Sequence, residues 1–389
     1  MNTPTTARVP AHTREAHDLR ATVAAHATLG ALQASSEWPR LRARLAALLD
    51  RVRLLPGQSP GPARDPSRVR VAHWNIEHGN RFEAIARALT SHPELAGADV
   101  VTLNEVDLGM ARSGNRDVAA ELGDRLGLHA AWAAMFLECT RGRDDDALTA
   151  VPGDNEESLF GLAMLSRWPI TGARLVPLPG PEGTLFEHER MLGRFVALVC
   201  DVAHPLRPFT VATVHLEVHR TRAHRAEQMR LLLASLAGAT RPVLLTGDWN
   251  THTFDRGTRF AVPAAALTLF ATPSGPLAER LTRPDRGPAA EGLFAHLRAA
   301  GFDWQRSNDF APTLGMRFAR LGEVHAMPAP LRALASRGLS WAERRARLRL
   351  DWIATRGFRD ELASGRTVHG LDGPGLASDH APITAELPL

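Results

Sequence analysis

The chain contains no tyrosine, no lysine and only two cysteines in 389 residues. Each shortage narrows what the protein is. Cys139 and Cys200 stand far apart, too few for a disulfide framework and without metal-ligand spacing, so both read as small buried hydrophobes. The opening stretch MNTPTTARVPAHTREAHD lacks the apolar segment of a secretory leader. No window approaches the roughly 18 apolar residues that span a bilayer. A soluble, cytoplasmic protein is the expectation. All 46 basic residues are arginine; lysine and tyrosine codons are AT-rich, so the two absences fit a GC-rich coding bias. Set against 42 acidic residues, the arginines leave a formal charge of only +4. A nucleic-acid binder usually concentrates charge in a stripe or patch, so this balance argues only weakly for an anionic ligand.

Hydrophobic residues make up 44% of the chain, ample for a core, and the length allows one to three domains. Leucines spaced three and four apart among alanines and arginines predict helix over residues 14–54. A break, PGQSPGPARDPS, covers residues 56–67 and reads as a linker. Beyond it, short apolar runs such as VRVAHWNIE, ADVVTLNEVD, RFVALVCDVA and FTVATVHLEV alternate with helical stretches such as RFEAIARALTS and RAEQMRLLLASLAG. That mixture predicts a layered α/β domain from residue 68 to 389, preceded by a helical extension and linker over 1–67. Residues 253–345 form an enlarged insertion, with EGLFAHLRAAGFD and the Arg-dense LSWAERRARLRL as its helical pieces.

The stretch VLLTGDWNTH, residues 243–252, runs from a buried strand into Asp248 and Asn250. Side chains alternate along an extended chain, so these two are expected to share a face. Other strand ends carry groups of the same kind: Asn75 and Glu77, Glu105 and Asp107, His215 and Glu217, Asp351, and Asp379 with His380. One such end is ordinary turn chemistry; six, interleaved with core strands, are not. Carboxylates and an amide without cysteine suit a hard cation, Mg²⁺ or Mn²⁺. Imidazoles beside them hold or pass protons near neutral pH. Together they suit hydrolysis of a phosphate ester by a positioned water.

The ordered set WNIE, LNEVD, GLAMLSRWPI, VHLE, GDWN, LDWI and SDHAPI resembles the endonuclease/exonuclease/phosphatase superfamily. That group includes deoxyribonuclease I, exonuclease III-type AP endonucleases, neutral sphingomyelinases, inositol polyphosphate 5-phosphatases and deadenylases. The resemblance covers about residues 70–389 and implies a four-layered α/β sandwich, two packed mixed β-sheets flanked by helices, with the site at one edge. It further implies metal-dependent phosphoester hydrolysis. Glu105 resembles the main metal ligand, Asn75 positions the metal and the base, Glu77 stands as a second acidic group, and Asp379 completes the metal site. Asp248 would orient or deprotonate the water, and Asn250 would bind a phosphoryl oxygen. His380 would stabilise the transition-state charge, with Asp351 holding its tautomer and His215 on the far side of the phosphate.

Two subfamilies fit poorly. GDWNTHTFDRG lacks the basic residue that 5-phosphatases place after the Asn, and the phosphate-contacting Tyr of AP endonucleases is absent. The run EVDLGMARSGNRDVAAELGDRLGL instead resembles uncharacterised bacterial members and eukaryotic members tied to lipid-anchor remodelling. Arg112, Asn115 and Arg116 in that run, and Arg190 and Arg194 in HERMLGRF, are the candidates for gripping an anionic head group. A small or lipid-like phosphodiester is therefore the expected substrate. A nuclease using the Arg-rich 333–349 stretch and some of the Trp residues is the alternative, with nucleic acid as partner. A catalytically inactive binding module is the third reading; the intact Glu105, Asp248, Asn250, Asp379 and His380 argue against it.

Overall fold

A computed structural model of the chain describes residues 12–58, 61, 65–142, 146–180, 185–187, 190–257, 261–316, 338, 340–359, 362–373 and 375–389. Helices α1 (His12–Ala24), α2 (Leu29–Gln33) and α3 (Trp38–Leu49) lead into strands β1 (Val52–Leu55) and β2 (Arg68–Asn75). There follow α4 (Phe82–Ser91), β3 (Val100–Leu108), α5 (Val118–Leu126), β4 (His129–Glu138), α6 (Asp146–Thr149), β5 (Leu159–Ser166) and β6 (Ile170–Leu178). The next are β7 (Met191–Gly193), β8 (Phe195–Val202), β9 (Phe209–His215), α7 (Arg222–Leu236) and β10 (Val243–Asp248). The insertion holds α8 (Ala261–Ala271), α9 (Ser274–Thr282), α10 (Leu293–Ala299) and β11 (Leu314–Gly315). The chain closes with β12 (Arg347–Leu348), β13 (Asp351–Arg356), β14 (Ser364–Thr367) and β15 (Ile383–Pro388).

Two mixed sheets carry the fold. The larger has strand order β1-β4-β5-β3-β2-β15-β14, with β7 also on β4; the smaller runs β13-β10-β9-β8-β6. Only β2 with β3 and β9 with β10 pair in parallel within these two sheets; each is the central join that a crossover makes. Val71, Met164 and Ile383 from one sheet pack against Leu198, Val214 and Leu245 from the other, and the same cluster continues to Met229 and Leu232 of α7 and Phe294 of α10. A second cluster covers the outer face of the large sheet, where Trp74, Leu103 and Leu165 meet Leu19, Leu45, Ile85 and Leu122 of α1, α3, α4 and α5. The result is helix, sheet, sheet, helix: the expected four-layered sandwich. Strand β10 is buried along its whole length, which is why VLLTGD reads as a continuous apolar run without alternation.

Three expectations change. The predicted helix over 14–54 breaks into three pieces and stops at Leu49; Val52–Leu55 is instead an edge strand, paired antiparallel with β4 from Val52 opposite Ala133. Tertiary pairing along the open edge of β4 outweighs the weak helical preference of VRLL. HAAWAAMFLE, which the reading along the chain leaves unassigned, is the strand β4, despite its alanines. It lies between β1 and β5, where small side chains admit close neighbours. The insertion is richer than its sequence suggests: Leu269, Leu277 and Leu281 of α8 and α9 close a third small cluster with Leu348 and Leu350. Of the Arg-rich stretch 333–349, residues 333–337 and 339 lie outside the described residues; 340–345 are helical and 347–348 form β12. Among the described residues, no helix is long and apolar enough to cross a membrane.

Candidate active site

The two sheets meet at one end through polar side chains. Asp248, the last residue of β10, stands opposite His215 in the parallel ladder and opposite Asp351 in the antiparallel one. On the other sheet, Asn75 ends β2 opposite Asn104 of β3. Both amides reach across. Asn75 Nδ2 donates to Asp248 Oδ2 at 3.2 Å and to Glu105 Oε1 at 2.9 Å, and the Asp248 backbone N–H donates to Asn104 Oδ1 at 2.7 Å. A buried carboxylate is costly to desolvate, and the bonds from Asn75 offset part of that cost. Gly247 permits the close packing here, because a Cβ on it would sit 1.9 Å from Val214 O.

Asp248 and Asn250 do line one cavity, but not because the strand stays extended. Asn250 adopts φ 49°, in the left-handed region. Its N–H donates to Asp248 Oδ1 at 2.9 Å, an Asx turn, while its Nδ2 donates to Leu216 O at 2.7 Å. Glu105 arrives by a similar device: φ is 55°, and the pairing of β3 with β5 slips between Leu103 and Val106. This bulge aims Glu105 into the cavity, as bulges beside active sites do.

The imidazoles are held from behind. His380 Nδ1–H donates to Asp351 Oδ2 at 2.7 Å, which leaves Nε2 facing Asp248 Oδ2 at 3.7 Å. Trp74 Nε1 donates to His380 O at 2.8 Å, and Ser378 Oγ donates to Asn75 O at 2.7 Å, so WNIE and SDHAPI clasp one another. Burial opposes charge on His380, yet the Asp351, Asp379 and Asp248 carboxylates hold its pKa well above the usual histidine value. Burial also opposes ionisation of Asp351, but His380 and His73 outweigh it and hold that carboxyl well below the ordinary range. His380 is thus an imidazolium on a fixed carboxylate. His215 Nε2 lies 3.6 Å from Asp248 Oδ2 and its Nδ1 4.0 Å from Glu105 Oε1. Burial pushes His215 down despite Asp248, so it is a neutral imidazole.

The donor set fits a divalent cation. Burial, then the neighbouring Asp379 and Asp248 carboxylates, push Glu105 up to about 8, against the opposing bond from Asn75 and the charge of His380. Carboxylates crowded in this way lack the positive charge that a hard cation supplies. Asp248, Asp351 and His380 also present ligand atoms within 4.8 Å of one another. However, the His380 ring spans the two acids with its two nitrogens, so these groups form a relay of contacts and do not converge on one point. Glu105 borders the cavity, and Asp379 is near enough to raise its pKa. Asn75 bridges Glu105 and Asp248 through its Nδ2, while its Oδ1 accepts from Glu77 N at 3.2 Å.

Several expected site residues are elsewhere. Glu77 pairs with Arg81 at 2.7 Å; φ of 46° at Glu77 turns the chain out of β2, so strand alternation no longer applies. Arg112 is buried on Asp107, at 2.8 and 2.9 Å, and on Glu138, at 2.9 and 2.7 Å. It borders the cavity with its donors already committed. Asn115 serves the loop, donating to Asp154 O and accepting from Glu156 N. Arg116 pairs with Glu121 and lies over the Phe82 ring. Arg190 donates to His26 O and Ala27 O, tying the α1–α2 turn to the core, and Arg194 pairs with Asp50. Each of these arginines has an acid or carbonyl partner in the fold.

Other residues were missed. His78 follows Glu77 at φ 67°, and its Nε2 lies 3.4 Å from Glu105 Oε2 and 3.5 Å from Asp146 Oδ2. Burial and the adjacent Arg112 push it down to about 3, so it is neutral. WNIEHG carries it openly, but period-two reasoning skips an i+3 residue on a turn. Asn104 hides beside Glu105 because the bulge lets both neighbours serve the site. Asp146 is distant in sequence, with no motif to mark it.

Asp248, Asn250, Glu105, His215, His380 and His78 border one cavity of about 330 Å³. Several solved structures resemble the chain. An endonuclease/exonuclease/phosphatase from Beutenbergia cavernae DSM 12333 is 18% identical, with 83% of this chain and 72% of that one covered and a TM-score of 0.48. The Neisseria 3′ phosphatase NExo bound to product DNA hairpin is 16% identical over 82% of this chain and 100% of that one, TM-score 0.47. The human Nocturnin catalytic domain with bound sulfate is 16% identical over 82% and 93%, TM-score 0.44. No curated protein matches the sequence. The profile of the Endonuclease/Exonuclease/phosphatase family matches residues 72–380, and the chain belongs to that family.

Proposed function

We propose that this chain is a divalent-metal-dependent phosphodiesterase that directs an activated water at a small or lipid-like phosphodiester. The observation that carries the reading is Asp248: a buried carboxylate that accepts from Asn75, is fixed through its backbone N–H by Asn104, and is faced by the imidazoles of His215 and His380. Members of this family are metal-dependent hydrolases of phosphoesters, which agrees with the acidic donor set. Glu105 and Asp379 would hold Mg²⁺ or Mn²⁺, which when bound neutralises charge on the phosphoryl oxygens. Asp248 orients the water and takes its proton. His380, charged on Asp351, faces the negative charge that develops on phosphorus oxygens. Asn250 keeps one Nδ2 hydrogen beyond the one given to Leu216 O, and it serves a phosphoryl oxygen.

The test is hydrolysis of bis-p-nitrophenyl phosphate, with sphingomyelin, plasmid DNA and RNA in parallel. Turnover with Mg²⁺ or Mn²⁺, lost in EDTA and lost in Asp248→Asn, supports the reading. Full turnover in chelator, or none on any diester with either metal, overturns it.

A further inference from the structure

The cavity has two unlike halves. One holds the reaction groups. The other is walled by Met135, Phe136, Phe160, Leu185, Met191 and Phe195. These come from different strands brought together by pairing: β7 lies on β4 with Gly193 opposite Phe136, and β5 lies on β4 with Phe160 opposite Phe136. The Phe136 and Phe195 rings meet edge to face at 5.3 Å, and Phe136 and Phe160 lie 6.2 Å apart. His78 joins the halves, with its ring 5.3 Å from Phe160 and its Nε2 3.4 Å from Glu105. The aromatic wall therefore begins one side chain away from the reaction centre.

Charge decides what this half accepts. Among the described residues that border the cavity, Arg112 is the sole arginine. Its guanidinium faces acids: Nε–H and Nη2–H donate to the two Asp107 oxygens and Nη1–H to Glu138 Oε1, while Glu138 Oε2 lies 2.7 Å from Nη2 as an ion pair and Asp146 lies at 3.9 Å beyond. The other charged neighbours here are carboxylates: Glu138, Asp146 and Glu217. A polynucleotide would bring a second phosphate within one residue of the first, and among the described residues of this half it would meet mainly acids. A volume of about 330 Å³ is at the low end for small-molecule sites.

Resting on the phosphodiesterase reading, we infer that the Phe136–Phe160–Phe195 wall is a specificity subsite for one uncharged apolar ester group of the substrate. The reacting phosphate is anchored by the polar half, and the attached aryl or alkyl group enters the apolar half. Burying one ring there is worth about 10- to 100-fold in affinity, by transfer from water. Only one of the two ester groups is recognised in this way; the other points to solvent.

Inhibition of bis-p-nitrophenyl phosphate hydrolysis by a graded set of stable diesters tests this in the Mn²⁺-loaded protein. Methyl phenyl phosphate should inhibit at least about 10-fold better than dimethyl phosphate, and diphenyl phosphate should add little more. Phe160→Ala, and the volume-keeping Phe160→Leu should Ala fail to fold, should shrink the methyl-to-phenyl step. Adding a terminal phosphate to a dinucleoside phosphate should weaken its inhibition. Equal inhibition by dimethyl and methyl phenyl phosphate would overturn the subsite, as would a gain from the extra phosphate or an unchanged step in a folded Phe160 variant. Absence of any diester turnover counts against the phosphodiesterase reading instead, whereas turnover with a flat series counts against the subsite alone.

Discussion

The cavity is bordered by two buried clusters of acids that differ in how their charge is met. Around Arg112, one guanidinium pairs with both Asp107 and Glu138 and donates to three of their four oxygens. Around Glu105, Asp248 and Asp379, the described partners are amides and imidazoles, and no arginine enters. The first cluster is held together by its own guanidinium. In the second, burial and then the neighbouring carboxylates raise Glu105 to about 8. The first cluster has two fully buried acids and the second has three acids, of which Glu105 and Asp379 are partly exposed; a guanidinium partner separates a structural ion cluster from a reactive one.

The largest expected effects come from breaking the reactive cluster. Asp248→Asn is nearly isosteric and should lower kcat by at least roughly 10²-fold with little change in KM, because the lost proton transfer acts in the transition state. His380→Ala should cost about as much. Asp351→Asn combined with it should add little, since the two act as one unit. Kinetics and melting temperature on the same preparations check this: near wild-type kcat in folded Asp248→Asn would remove the distinction between the clusters.

Breaking the closed cluster should strike stability first. Arg112→Met strands two buried carboxylates and should cost about 3–5 kcal/mol, read from urea unfolding. Wild-type stability in that variant would mean that its charges are not mutually dependent.

A third prediction uses pH. Without metal, Glu105 holds a proton up to about 8 in the fold, against the usual 4.5. A folded pKa above the unfolded one gives stability that is complete below about 4.5 and lost as pH rises through about 8. The metal-free protein should therefore melt at lower temperature at pH 9 than at pH 6, and Mn²⁺ should reduce the difference. Because the proton must leave before the ion binds, apparent Mn²⁺ affinity should fall by up to roughly tenfold per unit as pH drops below 8. Calorimetric titration at pH 6, 7 and 8 reads this, and a flat profile would move the ion away from Glu105.

The smallest effect is at the surface. Arg116→Ala should change stability by about 0–1 kcal/mol and leave diester turnover near wild type, since its partner Glu121 is half exposed. A large loss of turnover would restore Arg116 as a substrate contact.

Much of the site was legible because it sits at strand ends, where a buried apolar run that stops in Asp, Asn or His is conspicuous. Asp248, Asn250, His215, Asp351 and His380 all come together as expected, and Glu105 joins them. Glu77 and the four arginines have protein partners that the sequence did not show, for one reason. Sequence shows that a charged group is present but not which partner the fold brings to it, and Glu77 met Arg81 while Arg112 met Asp107 and Glu138. His78 and Asn104 were missed because a turn and a bulge break the period of two on which strand reasoning rests.

By itself the sequence determined the layered α/β class, the order of the strands that carry acids, and the hard-ligand chemistry at their ends. Periodicity and side-chain type are local properties, and local properties survive being read one residue at a time. Tertiary structure alone decided that VRLL would be a strand, that Arg112 would be spent, and that Phe136, Phe160 and Phe195 would form one wall beside Glu105. Those outcomes depend on which edges, acids and rings lie opposite one another, and pairing between distant segments leaves no period in the chain.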